Sequence, residues 1–274
     1  MVKGLDTFRK YFADYENQYV LIGGAACDIV FESNDVNFRA TRDLDMVLIV
    51  EALTPEFGEK FWEFIVDGKY RNKATNGGNP QFYRFDKPED DTFPKMIELF
   101  CRSNFELKEA EGITPVHIDD EISSLSAILL NDDYYKVLLG GKVIRKGLSV
   151  LRPEYIILFK AKAYLDLKMR RDSGEKVDFS DIKKHKKDVL RIAVELMLEK
   201  VVDLPMTVND DIHSFIEFLE QEPFDQNSLK RYGLKNEILR LFLWTANRIE
   251  NKILIEYNLG IDNQRRCANE EYNV

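Results

Sequence analysis

Three acidic side chains stand out by type and spacing. Asp43 and Asp45 flank Leu44 at the head of the apolar run Met46-Val47-Leu48-Ile49-Val50, and Glu98 interrupts the apolar segment Met96-Ile97-Glu98-Leu99-Phe100. In an extended strand, residues two apart project to the same face, roughly 7 Å apart along the chain. On a helix the same spacing would splay them by about 200°. The strand setting therefore turns Asp43 and Asp45 toward one site while Leu44 enters the core. Gathering Glu98 there as well has a cost, because two unit charges at ~5 Å in an effective dielectric of ~20 repel by about 3 kcal/mol. Relief comes from a proton held on one carboxyl or from a divalent cation between them. Oxygen-only ligands select Mg²⁺ or Mn²⁺ over zinc. Two such ions about 3.5–4 Å apart clamp the attacking and leaving oxygens of a phosphoryl transfer.

Two further features belong to the same chemistry. Gly23-Gly24 follows the apolar stretch Tyr19-Val20-Leu21-Ile22 and precedes a helical pattern over 25–32. A glycine pair there lets backbone N–H groups at a helix N-terminus approach a triphosphate without side-chain interference. Downstream, residues 151–200 hold thirteen Lys/Arg against nine Asp/Glu, a local +4. Taken singly, each feature has an ordinary explanation: a tight turn, solvated acids at a strand mouth, an edge-strand glutamate, a solvated basic helix face. Their order along the chain is what unites them.

The elements that must position these residues follow from periodicity. Residues 5–17 read as a helix, 19–22 as a short strand, 44–50 as a second strand and 54–66 as a helix with Phe57, Phe61, Phe64 and Ile65 at helical spacing. The glycines and proline of 68–80 predict a loop-rich segment, with strands at 81–85 and 95–101 beyond it. A short helix is expected near 123–130, and YYKVLLGGKVIRKG reads as a hairpin turning at Gly140-Gly141. From Pro153 the pattern becomes helical: a long helix to about 172, then one started by Asp178 or Ser180 and running to about 200. Two or three more helices are expected over 208–259. The expected fold class is α/β (α+β): a mixed β-sheet with flanking helices over 1–150, a helical domain over 151–261 that completes the cleft, and a polar tail over 262–274.

Composition narrows the class. The 274 residues are 45% hydrophobic and 32% charged, with a net charge of −9. That excludes a disordered chain, a collagen-like repeat and a disulfide scaffold. An acidic total argues against a surface that coats nucleic acid broadly. Outside 151–200 the charge sums to −13, so the basic segment suggests a confined anion site. Cys27, Cys101 and Cys267, with His117, His185 and His213, are too scattered for zinc-ligand spacing and fit small buried thiols in a reducing cytosol. No stretch of some 18 apolar residues occurs, so no membrane partner is expected, and the start of the chain lacks a signal peptide's apolar region. The expected localisation is cytoplasmic.

In sequence order, Leu21-Ile22-Gly23-Gly24-Ala25, Thr41-Arg42-Asp43-Leu44-Asp45-Met46 and Ile97-Glu98-Leu99 resemble the motifs of the polymerase-β-like nucleotidyltransferase superfamily. The stretch Leu151 to Ala163, LRPEYIILFKAKA, is similar to the lysine-bearing helix of its AbiEii-type toxin nucleotidyltransferases. Lys184-His185-Lys186-Lys187-Asp188-Val189 resembles that family's last motif, with His185 where the family has its first acid. The resemblance spans about 18–200 and implies a nucleotidyltransferase fold. It implies metal binding by Asp43, Asp45 and Glu98, with Glu98 also helping to activate the attacking hydroxyl. It implies triphosphate contact by the backbone of Gly23 and Gly24. Lys160 would reach phosphate, Asp188 would orient a lysine or the nucleotide, and Lys184, four residues before it, could pair with Asp188. Arg39 and Arg42 would neutralise charge or bind acceptor. The implied cofactor is Mg²⁺ or Mn²⁺, two ions, with an NTP as substrate. The implied partners are a tRNA end or a protein hydroxyl as acceptor, and an antitoxin protein. A catalytically silent nucleotide- or partner-binding member, and a small-molecule (antibiotic) nucleotidyltransferase, stay open as alternatives.

Overall fold

The computed structural model describes residues 2–32, 43–76, 79–102, 128–129, 131–195 and 204–221. Helix α1 (Leu5–Tyr11) leads into β1 (Tyr19–Leu21), α2 (Gly23–Glu32), β2 (Asp43–Leu48) and α3 (Pro55–Asp67). Strands β3 (Asn72–Asn76), β4 (Asn79–Asp86) and β5 (Met96–Phe100) follow, then α4 (Asp132–Gly141), β6 (Lys142–Arg145) and β7 (Leu148–Leu151). Helices α5 (Pro153–Asp172), α6 (Phe179–Glu195) and α7 (Met206–Gln221) complete the described chain. The seven strands form one mixed sheet in the order β3-β4-β5-β2-β1-β7-β6. β2 runs parallel to β5, and β1 parallel to β7. The remaining neighbours are antiparallel. The architecture is mixed α/β, a sheet with flanking helices, as the periodicity predicts.

The chain divides into two compact units. The first comprises 1–198 with 204–215, and the second comprises 199–203 with 216–274. An expected domain start at 151 therefore falls inside the first unit. The reason is packing: α5 lies against α2, α4 and α6, so it joins the sheet's own body.

Side-chain alternation makes the sheet two-faced. Tyr19 on β1 and Phe85 on β4 point into an aromatic layer supplied by α1 and α3. Phe8 meets Tyr19 edge-on at 5.5 Å, and Phe61 meets Phe85 at 5.5 Å. Phe64 is the hub, with ring centroids 4.9–5.7 Å from Phe93, Tyr11, Phe12 and Phe8. Thr54 starts α3 by accepting the Phe57 N–H, with Pro55 at the first helical position where its missing N–H costs nothing. The cap is tied down in turn, since Thr54 N–H donates to Gln18 Oε1 at 2.9 Å.

Three expectations are corrected. Helix α1 ends at Tyr11 rather than near 17, because the chain turns through Tyr15 and Gln18, whose N–H groups bond back to Phe12 and Tyr15. The segment 68–80 contains β3 and the start of β4. These residues lack strand-like alternation and owe their pairing to the β4 ladder, which shifts register at Thr75/Asn76. Residues 134–141 are helical instead of forming a hairpin. Asn131 caps α4 by accepting from the N–H groups of Asp133 and Tyr134, and Tyr134, Tyr135, Val137 and Leu138 are buried at helical spacing. The hairpin turns one step later, at Lys146 (φ 50°) and Gly147 (φ 70°), the two positive φ values that a tight type I′ turn demands. The short helix expected near 123–130 lies mostly outside the described residues; Ile128 and Leu129 are helical and buried.

The fully buried Phe64 sets the first stability prediction. Phe64→Ala is expected to cost about 3–5 kcal/mol, read as a lower urea midpoint at unchanged slope.

Candidate functional site

Register assembles the site. Leu21 pairs with Met46, and Ile22 N–H donates to the Asp45 carbonyl at 3.0 Å, which brings the end of β1 alongside Asp45. The chain must then enter α2 at once, and Gly23 does so at φ 62°. That left-handed value favours glycine, and a Cβ at Gly23 would overlap Asp45 Oδ2. Gly24 is buried inside the first turn of α2. The Asp45 carboxylate thus lies directly against a helix N-terminus, where backbone N–H groups lack intrahelical partners.

On the other side, β2 and β5 run parallel with Asp45 opposite Glu98. β4 places Arg84 opposite Glu98 in turn. Asp45, Glu98 and Arg84 form one transverse row on one face of the sheet, with Asp43 two residues from Asp45 on the same face. Glu98 is 7% exposed. Its Oε1 accepts from Arg84 Nε at 2.8 Å and Nη2 at 2.6 Å. Glu98 and Asp45 also share a side-chain hydrogen bond. Burial first, and the Asp45 charge second, push the Glu98 carboxyl well above its ordinary value, against the pull of Arg84. A proton held between two carboxyls is the expected outcome of gathering like charges in a sheet interior.

Asp43, Asp45 and Glu98 offer carboxylate oxygens, the donor type that a hard divalent cation takes. Among the described residues no group of three or more His, Cys, Asp or Glu is gathered closely enough to hold a metal. The nucleus is therefore the Asp45–Glu98 pair, with Asp43 adjacent on the strand and not drawn into a closed triad.

A second polar group forms between helices. Lys160 of α5 meets Asp188 of α6 at 2.8 Å, with side chains only 7% and 5% exposed. The Lys160 amine is therefore bound to a carboxylate inside the protein, and Asp188 has a partner on the neighbouring helix. Lys184 itself is half-buried on α6, and His185 is buried one turn from Asp188. Asp178 starts α6 by accepting the Ser180 N–H at 2.8 Å. Arg191 of α6 lies over the Phe31 ring of α2 at 5.6 Å, linking α6 to the helix that Gly23 begins. Arg39 and Arg42 lie outside the described residues.

Sequence reasoning missed Arg84. Its signal is faint: in Gln81-Phe82-Tyr83-Arg84-Phe85-Asp86 it alternates with buried Tyr83 and Phe85, so it must face away from the aromatic layer. Only the β4–β5 register says that Glu98 is what it faces.

Two predictions follow from this geometry. Glu98 has its proton affinity raised in the folded state, so its contribution to stability is complete below the unfolded carboxyl's 4.5 and is lost as pH rises through the folded value. Glu98→Gln keeps an oxygen for Arg84 and removes that loss. Its urea midpoint in chelator is expected to exceed the wild type's by a margin that grows from pH 4 to pH 8. Lys160→Met strands a buried carboxylate and is expected to cost about 3–5 kcal/mol, whereas Lys160→Met with Asp188→Leu recovers most of it. Urea denaturation of the single and double variants measures the difference.

Neither a protein-family model nor a curated protein matches the sequence. Among solved structures, the chain is similar to an antigenic nucleotidyltransferase-like protein from Paracoccidioides brasiliensis. The identity is 14% and the TM-score 0.40, over 83% of this chain and 92% of that one.

Proposed function

We propose that the chain is a metal-dependent nucleotidyltransferase that moves a nucleotidyl group from an NTP to an acceptor hydroxyl and releases pyrophosphate. The observation that carries this reading is the Asp45–Glu98 carboxyl pair seated against the Gly23 N-terminus of α2. On this reading the carboxyl pair and the start of α2 would serve the two halves of the chemistry, cation and anion. Asp43, Asp45 and Glu98 would hold Mg²⁺ or Mn²⁺, which when bound supplies charge neutralisation at the phosphates. The backbone N–H groups at the start of α2 would bind phosphate oxygens, with Gly23 leaving the approach free of a side chain. Glu98 would complete the acceptor-side metal site and help to activate the acceptor hydroxyl. Burial of Glu98 and its bond to Arg84 keep that carboxyl in place. Catalysis then comes mainly from positioning and charge stabilisation.

The finer reading is an AbiEii-type toxin of a toxin–antitoxin pair, acting on a tRNA end or on a protein hydroxyl. It is supported by the motif order through Asp188 and by the Lys160–Asp188 ion pair, which joins the two motifs of the helical segment. A second reading, a nucleotide-binding member without catalysis, is favoured by one observation: Glu98 is already engaged by Arg84 on one side and Asp45 on the other.

One assay separates these readings. The protein is incubated with Mg²⁺ and labelled CTP, UTP, ATP or GTP, together with total tRNA or total protein. Label is expected in one acceptor pool with one preferred nucleotide. Asp45→Asn is expected to lower incorporation by about 100-fold or more, the scale set by lost positioning, while its folded signal persists. NTP binding without labelled product or pyrophosphate would select the silent reading, and full activity in the Asp45→Asn protein would overturn the site.

A further inference from the structure

We propose that Asp211 is a two-armed latch for a helical strap. Its carboxylate fastens the first half of α7 onto α4 and α5, and breaking it releases that stretch of helix while the sheet stays folded. The inference is independent of the functional reading above.

The two oxygens of Asp211 are held by different elements. Oδ2 accepts from the Tyr134 hydroxyl of α4 at 3.0 Å, and Oδ1 accepts from the Lys162 ammonium of α5 at 2.8 Å. Tyr134 is buried, and its ring meets Phe159 of α5 edge-on at 5.5 Å, so the first arm starts from a fixed point. One turn earlier on α7, the Thr207 hydroxyl donates to Asp133 Oδ2 at 2.6 Å. Beside these bonds Val208, Ile212 and Phe215 are buried at helical spacing, and Phe215 meets Tyr164 of α5 edge-on at 5.2 Å.

A stretch of helix this short is marginal in water, so docking is what keeps it ordered. The apolar stripe attracts without direction, whereas the bonds of Asp211 choose one rotation and one register. Removing Asp211 leaves the buried Tyr134 hydroxyl without that acceptor only while the helix is docked; once it leaves, water takes the place of the carboxylate. The cost therefore falls on the docked state and favours release. Lys160 and Lys162, two residues apart and so about 200° around α5, reach Asp188 of α6 and Asp211 of α7 on opposite sides. Loss of the latch leaves the Lys160–Asp188 pair in place. The strap also stands where the chain leaves the first compact unit, since residues up to 215 belong to it and those from 216 to the second.

Hydrogen–deuterium exchange of the full chain, read by mass spectrometry, tests the latch. In Asp211→Ala, peptides from 206–215 are expected to exchange about 10-fold faster or more, while those from β2, β5 and α6 keep their wild-type rates. Asp210→Asn removes the same charge from the exposed neighbouring residue and is expected to leave every rate unchanged. Unchanged exchange over 206–215 in Asp211→Ala overturns the latch. Equal acceleration across β2 and β5 overturns the strap, because α7 would then be inseparable from the sheet. An Asp210→Asn protein that matches Asp211→Ala overturns the geometry in favour of charge alone. Should Asp211→Ala not fold, Tyr134→Phe, which removes one arm, decides: faster exchange confined to 206–215 supports the proposal, and unchanged or uniform exchange overturns it.

Discussion

The contact between Asp45 and its two flanks, the Gly23 backbone and the Glu98 carboxyl, is the constraint around which the rest of the structure is arranged. It demands that β1 end where Asp45 begins, which the Ile22 to Asp45 backbone bond enforces. It demands that the chain turn into α2 without a side chain, which only glycine does at φ 62° against Asp45. It also demands that β5 lie parallel to β2 in one register. A slip of one residue would send Glu98 to the aromatic face and bring Ile97 or Leu99 beside Asp45.

Such a row of ionisable groups is a burden on a sheet interior, since buried charge must be partnered to be tolerated. Here the partners are supplied by the neighbouring strands: Asp45 on one side of Glu98 and Arg84 on the other. The opposite face carries the stabilising load. Phe8, Phe12, Phe57, Phe61, Phe64 and Phe85 are all fully buried, and their edge-on and tilted contacts knit α1 and α3 to the sheet. A sheet with one dry aromatic face can carry a polar row on the other. The Lys160–Asp188 pair repeats the principle between helices, where each charge is admitted to the interior only because the other is there.

Legibility in the sequence varied with how local each determinant is. The Asp43–Asp45 alternation, the Gly23 turn and the isolated acid of MIELF are set by neighbours in the chain, and each could be read there. The proline that opens α5 and the acid that starts α6 are equally local. In residues 134–141 the pair Gly140-Gly141 looks like a turn, while the deciding features are the Asn131 cap and the burial of four helically spaced side chains. β3 was missed because Asn72–Asn76 carries no apolar alternation; its strand character comes from β4. Arg84 was missed for the same reason, since an arginine in a strand means little until the register supplies Glu98.

The sequence by itself determined which residues could do chemistry, which way their side chains alternate, and where the chain must turn, because these follow from backbone sterics and from periods of two and 3.6 residues. Only the tertiary structure decided which of those residues meet. It put Glu98 between Asp45 and Arg84, brought Lys160 of α5 to Asp188 of α6, and packed α5 against α2 and α6 within the unit that contains the sheet. The physical reason is that strand register and helix packing are fixed by the burial of apolar surface summed over whole elements. The polar groups go where that burial carries them, and no spacing along the chain encodes the result.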